Sequence, residues 1–218
     1  MDRPKRADSV LLRRNFYDAV RQIGDIVIVW ILIIAGVVLF DQVSKILVVE
    51  FLDRDTPFVI IEGIFRFKYS ENRGAAFGSF EDQRWVFMIA SIVGIVGLCV
   101  YLFCFKPKSK LACTAISMVI GGGIGNMIDR TFRTGEIFKG EKVVVDFLDF
   151  YAFPDIWNAI FNVADSFVCV GAGLLILWCI LSIVEETKAE KLAKKATESV
   201  GDASNTDSVD AQKREDAE

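Results

Sequence analysis

Four long apolar runs, separated by polar stretches of unequal size, set the pattern of this chain. Ile26 to Phe40 carries no charge, Asp41-Gln42 and Ser44-Lys45 interrupt it, and Ile46 to Val49 completes the run. At roughly 1.5 Å per residue that is enough to cross a bilayer as a helix. Trp85 to Phe105, Leu111 to Ile128 with Asn126, Asp129 and Arg130 at its end, and Ile156 to Val184 repeat the pattern. The predicted spans are therefore 26–49, 85–105, 111–130 and 156–184, with Trp157 and Trp178 as interface anchors of the last.

The polar stretches differ in kind. Residues 1–24 form a basic extension with weak helical periodicity. No small-x-small cleavage site follows the first apolar core, so 26–49 is expected to persist as a helix and not as a removed leader. Pro57 to Tyr69 is rich in Val, Ile and Phe around an Ile61-Glu-Gly-Ile64 break, which predicts short strands. The small residues of Glu71-Asn72-Arg73-Gly74-Ala75-Ala76-Phe77-Gly78 suit a tight loop against a ligand or a helix. Residues 131–155 form a second long loop, and 185–218 a charged cytoplasmic tail that begins helical and becomes partly disordered. The predicted fold is an all-α membrane protein: a four-transmembrane-helix bundle, residues 25–184, with a small extracytoplasmic β-rich cradle. The basic N-terminus and the Lys106-Pro-Lys-Ser-Lys110 turn place both termini in the cytoplasm and the two long loops outside.

Composition supports a membrane protein, at 53% hydrophobic residues with 18 Phe. The net charge of −4 arises in the tail, where Glu185 to Glu218 holds ten acids against six bases while the rest balances nineteen against nineteen. Nothing in the body calls for a nucleic-acid partner. There is no histidine, which excludes Ser-His and Cys-His hydrolysis and the commonest catalytic zinc sites. The five cysteines lack metal-site spacing and read as small buried hydrophobes. Neither metal nor cofactor is expected.

Charge inside the spans is the informative exception. Asp41, Ser44 and Lys45 recur at helical spacing, as do Asn126, Asp129 and Arg130, and Asn162 and Asp165 lie three apart. Each helix thus carries one polar stripe, and lipid satisfies none of them. Counting from Val49 and from Trp157 puts Asp41 and Asp165 at a common depth, roughly 12 Å below the outer helix ends. Asp41 with Lys45 reads as a structural pair or as a binding element, Asp129 as a cap, and Asn126 and Asn162 as interhelical glue or site residues. Gly121-Gly122-Gly123 and Gly125 resemble a phosphate loop only superficially and are read as close helix packing. Asp165 has no Lys or Arg within a helical turn, and a second carboxylate beside it would form a pair sharing one proton. Spacing leaves the partner open among Asp41, Asp129, Asp146, Asp149 and Asp155.

Taken in order, Asp41-Gln-Val-Ser-Lys45, Asn72-Arg-Gly74-Ala-Ala-Phe77-Gly78, Gly121-Gly-Gly-Ile-Gly125-Asn126-Met-Ile-Asp129-Arg130, Val144-Val-Asp146-Phe147 and Phe161-Asn162-Val-Ala164-Asp165 resemble the lipoprotein signal peptidases, the bacterial signal peptidase II family. The resemblance covers roughly residues 36–175. It implies an aspartic endopeptidase of the bacterial inner membrane that removes signal peptides from diacylglyceryl-modified prolipoproteins, cutting before the lipidated Cys. It further implies Asp146 and Asp165 as the catalytic pair, with Asn72, Asn126, Arg130 and Asn162 positioning substrate or pair and Asp41 supporting the site. Lys45, Gly74 and Ala164, in the same motifs, are counted with these binding or supporting residues. Expected partners are prolipoprotein, membrane lipid and globomycin-like cyclic peptide inhibitors, with the chain a monomer.

Two departures stand out. Arg73 occupies a position where the family commonly has a small polar residue, and the stretch from Arg130 to Asp146 is enlarged through Gly135-Glu-Ile-Phe-Lys-Gly140. The enlarged loop must fold aside for Asp146 to reach Asp165. A proton-coupled transporter, the rival reading, would need polar residues in the inner halves of the spans, and Val27 to Ala35 and Gly171 to Ile180 are free of charge. A presenilin-type protease would carry Gly-x-Gly-Asp, which is missing.

Overall fold

A computed structural model describes residues 4–74, 84–153 and 159–215, with side chains between 27 and 192 except those of 84 and 87. The helices are α1 (Pro4–Phe51), α2 (Arg84–Val100), α3 (Lys110–Phe132) and α4 (Val163–Glu215), and the strands are β1 (Phe58–Ile61), β2 (Phe65–Asn72), β3 (Val144–Phe150) and β4 (Ile160–Phe161). A π-helical turn, Tyr101–Phe105, continues α2. The chain divides into two compact units, Met1–Leu175 and Ile176–Glu218, and the site lies in the first.

Among the described residues four helices are long and apolar enough to cross a membrane, at Val27–Phe51, Met88–Phe105, Lys110–Phe132 and Val163–Leu192. Their burial separates them. More than half of the α3 window is enclosed by protein, against 17% for α1 and 6% for α2 and α4. The most polar span is thus the central one, and the most apolar ones turn outward, as expected where lipid is as apolar as leucine.

Small residues let α3 occupy the middle. A side chain at Gly121 would meet Val37 Cβ at 2.7 Å, one at Gly122 the Ala164 carbonyl oxygen, and one at Gly125 an Asp41 carboxylate oxygen at 2.5 Å. The glycine run serves packing, and it lets α1 and the start of α4 close on α3. Trp30, Leu102, Cys113, Ile116 and Ile120 form the apolar core on the other side of this contact.

The strands form one antiparallel sheet in the order β1-β2-β3-β4, which joins the two long loops. β1 and β2 meet at the expected Ile61–Ile64 turn, where Gly63 takes φ 71. β3 and β4 are additions to the expected picture. Tyr69, Val145, Phe147 and Val163 bury together against Val48, Val49, Leu52 and Phe167, so the sheet is seated on the ends of α1 and α4.

Three expectations need correction. The fourth span starts at Val163, not at 156, because Ile160–Phe161 pair with β3 as a strand and Asn162 caps the helix; Trp157 lies outside the described residues. The depth count that started from Trp157 therefore overstates the burial of Asp165, which sits in the first turn. Of the five free cysteines, Cys113 is buried, while Cys104, Cys169 and Cys179 are exposed on outward faces, where a bilayer is as apolar as a core. Finally, α4 remains helical to Glu215, through the part of the tail expected to be disordered.

Candidate active site

The start of α4 is the organising feature. Asn162 is its N-cap: the Asn162 Oδ1 accepts from the Asp165 backbone N–H at 2.9 Å, and Asp165 Oδ2 accepts in return from the Asn162 N–H at 3.2 Å. This is a reciprocal capping box, with Asp where Glu or Gln is usual. Asp41, from α1, accepts from the Ala164 N–H at 2.9 Å. Donors that a helix start leaves without intrahelical partners are thus covered, and one cover comes from a different helix.

Behind the cap lies a fully buried polar cluster. Lys45 Nζ reaches Asp41 Oδ2 at 2.9 Å, Asn126 Oδ1 at 2.9 Å and Asp129 Oδ2 at 3.2 Å. An ammonium has three donors, and all three are used here. Asp129 also accepts from Arg133 Nε at 2.9 Å, the Gln42 amide at 3.3 Å and the Val145 N–H at 3.3 Å. Asp41 and Lys45 thus form an ion pair, and Asp129 links α1, α3 and the first residues of β3. Removing one member of such a buried pair costs about 3–5 kcal/mol.

Asn126 hands this order on to the carboxylates. Its Oδ1 accepts from Lys45 and from Asn162 Nδ2 at 2.9 Å, which fixes the amide so that its Nδ2 donates to Asp165 Oδ1 at 2.7 Å. Asn162 Nδ2 donates in addition to Asp146 Oδ1 at 2.7 Å. Asp146, on β3, receives a second donor at Oδ2 from Asn72 Nδ2 at 3.0 Å, and Asn72 is itself held by the Gly74 N–H at 2.9 Å. Gly74 takes φ 148, a conformation that favours glycine. The two carboxylates belong to different elements, and both bond to Asn162.

Burial pushes the Asp146 carboxyl up to about 7, and the charge of Asp165 adds to this, while the Asn72 and Asn162 donors act the other way. Near neutral pH Asp146 thus carries a proton part of the time. Asp165 is half-buried in the first turn of α4. Two carboxylates held by one asparagine, the first raised by burial and by the charge of the second, meet the condition for a pair to share a proton.

Of the residues picked out by sequence, Asp41, Lys45, Asn72, Gly74, Asn126, Asn162, Ala164, Asp146 and Asp165 join one continuous hydrogen-bonded network, and Arg130 follows Asp129 in the last turn of α3. Asp149 turns away, bonded to Arg66 Nε at 2.6 Å, and Asp155 lies outside the described residues. Sequence reasoning missed Gln42, Arg133 and Glu71. Arg133 lies four residues after Asp129, a helical spacing that pointed to it. Among the described residues no group of three or more Cys, Asp or Glu is arranged to hold a metal.

The profile of signal peptidase II matches residues 33–181, which contain this whole network. The chain belongs to the signal peptidase II family. It is similar to the lipoprotein signal peptidase of Halalkalibacterium halodurans, 38% identical over 156 residues that make up 71% of this chain and 92% of that one. Over 146 residues it is 41% identical to the enzyme of the same name from Caldanaerobacter subterraneus subsp. tengcongensis, covering 66% of this chain and 91% of that one. A bacterial membrane enzyme solved by the in meso method superposes with a TM-score of 0.62 at 29% identity, over 71% of this chain and 89% of its own. As a member of this family the chain is an aspartic protease of a bacterial membrane.

Proposed function

We propose that the chain removes signal peptides from diacylglyceryl-modified prolipoproteins, cutting before the lipidated Cys, with Asp146 and Asp165 as the catalytic pair. The observation that carries this reading is the junction at Asn162, which bonds both carboxylates at once. Asp165 accepts two N–H donors at the positive end of a helix, an arrangement that favours its charged form. Asp146 holds the proton. Asp165 then takes a proton from a water molecule as that water attacks the scissile carbonyl, while Asp146 donates a hydrogen bond to the carbonyl oxygen. The roles exchange as the tetrahedral intermediate collapses, and the pair titrates as a unit.

Lipid recognition has support beside the pair. Phe161 and Ser166, which flank Asn162 and Asp165, line an apolar groove of about 570 Å³ with Ile64, Phe150, Ala152, Phe153 and Cys169. An acyl chain in this groove gains placement more than affinity, since the bilayer offers a similar environment. In this reading residues 25–184 are the peptidase domain, 1–24 and 185–218 are cytoplasmic extensions, the sheet is an extracytoplasmic cradle, and the active form is a monomer. The site opens sideways, between helices, on the extracytoplasmic side.

The test uses purified protein in lipid with a diacylglyceryl prolipoprotein, with and without globomycin. Cleavage that globomycin blocks is expected. Equal rates on substrates with and without the diacylglyceryl group would overturn the lipid-directed reading.

A further inference from the structure

The two departures from the family pattern, Arg73 and the enlarged loop before Asp146, meet at one residue that the mechanism does not use. Glu71 is buried, and its carboxylate accepts from the backbone N–H groups of Glu136 at 2.7 Å, Ile137 at 3.1 Å and Phe138 at 3.0 Å, and from the Tyr69 hydroxyl at 2.8 Å. Gly135 packs so closely that a side chain there would meet Glu71 Oε2 at 2.5 Å. Arg73 lies over the Phe138 ring, 4.2 Å from its centre, and Arg73 Nη1 is 3.5 Å from a Glu141 carboxylate oxygen. The enlarged loop is thus gripped from both neighbours of Asn72.

Strand geometry explains why this matters to the site. Successive side chains in a strand point to opposite faces, so Glu71, with Tyr69 bonded to it, and Arg73 grip the loop while Asn72, between them, turns to Asp146. In the β2–β3 register Glu71 pairs with Val145, next to Asp146, and Asn72 with Val144, two residues before it. The loop leads directly into that strand, closed by Val143 N–H to Arg133 at 3.2 Å and by Gly135 N–H to Glu141 at 2.9 Å. Burial raises the Glu71 carboxyl, and the three backbone donors with Tyr69 outweigh it, so the group stays below the usual range and remains ionised at neutral pH.

We propose that Glu71 is a positioning residue of the proteolytic centre: by nesting its carboxylate in the 136–138 turn it locks the enlarged loop to β2 and holds Asn72 on Asp146. The proposal rests on the proteolytic reading above. Glu71 touches no reacting atom. Its contribution passes through Asn72, whose donor is one of the two that hold Asp146 down.

The test compares wild type, Glu71→Gln and Gly135→Ala in lipid with a diacylglyceryl prolipoprotein, measuring kcat, KM and the pH–rate profile. Small misplacements of a positioned group cost up to about a hundredfold. Both variants are expected to lose roughly tenfold or more in kcat, with KM within about twofold. The alkaline limb should move to higher pH, because Asp146 loses a donor. In an Asn72→Ala background Glu71→Gln should add little. Limited trypsin digestion, which reads Lys139 and Lys142 without any activity, should cut the loop faster in both variants. An active wild type with Glu71→Gln unchanged in kcat and pH profile overturns the role of Glu71 alone, and so does a loss of rate that tracks loss of folded protein with the alkaline limb unmoved. A wild type that leaves the prolipoprotein uncut removes the proteolytic reading, and the Glu71 role with it.

Discussion

The two carboxylates of the site are held by different kinds of structure. Asp165 stands at a helix start, with its backbone fixed by Asn162 and its side chain by Asn126, and behind these the fully buried Lys45 joins Asp41 and Asp129. Asp146 stands on a strand, with one donor from Asn162 and one from Asn72, and behind these lie a loop turn and Glu71. On the helical side α3 packs closely against α1 and the start of α4 through its glycines. The sheet side depends on the register of β2 with β3, which shifts between Phe67 and Ser70. One carboxylate is held by packing inside the bundle, and the other by a loop that Glu71 ties to β2.

The largest effects should come from the pair itself, where the two sides must fail alike. Asp146→Asn and Asp165→Asn each remove the proton exchange, and a loss of roughly 10²–10⁴-fold in processing of a lipidated substrate is expected. Normal cleavage by either variant would break the pairing. Lys45→Met should separate the sides next. It leaves Asp41 buried without its cation and Asp129 with Arg133 alone, and thermal unfolding in detergent should report a loss of about 3–5 kcal/mol. A comparable loss from Asn72→Ala would mean that the sheet side is as tightly built as the helical one.

How much of this could be read beforehand follows the same division. The helical side was legible, because residues three and four apart share a helix face, and Asp41, Lys45, Asn126, Asp129, Asn162 and Asp165 announced their stripes by spacing alone. The sheet side was not. Asp146 entered through resemblance, since β3 is buried along most of its length and shows no alternation to read. The β-branched run Val143 to Val145 was the available sign of a strand. Glu71 gave no local signal, because its partners are backbone N–H groups of a turn 65 to 67 residues away. The start of α4 was misjudged for a related reason: Ile160 and Phe161 are apolar enough to extend a span, and only pairing with β3 makes them a strand.

A pH titration sharpens the comparison on the sheet side. With Asp146 as the protonated partner and its carboxyl near about 7, kcat should fall as pH rises through that region. The same shift has a consequence for stability. The folded value lies above the unfolded one of about 3.9, so burial of Asp146 weakens the fold as pH rises from that value through about 7. A pH–rate profile and unfolding curves between these limits check both. A flat profile across this window would sink the assignment of the proton to Asp146.

The smallest effect belongs to Asp149, three residues along the same strand. It shares the apolar strand context of Asp146 and was an equal candidate by spacing, yet its carboxylate bonds to Arg66, whose guanidinium stacks on Tyr151 at 4.3 Å. That pair is partly exposed, with 28% of the Arg66 side chain accessible, so screening limits it to about 0–1 kcal/mol. Asp149→Asn keeps an acceptor for Arg66 and leaves the Asn162 junction untouched. Its kcat should stay within about twofold of wild type, far from the loss that general acid–base removal brings. If Asp149→Asn instead stopped cleavage while Asp146→Asn did not, the catalytic carboxylate would lie on the Arg66 face of β3, and the asymmetry between the two sides would have to be drawn again from that face.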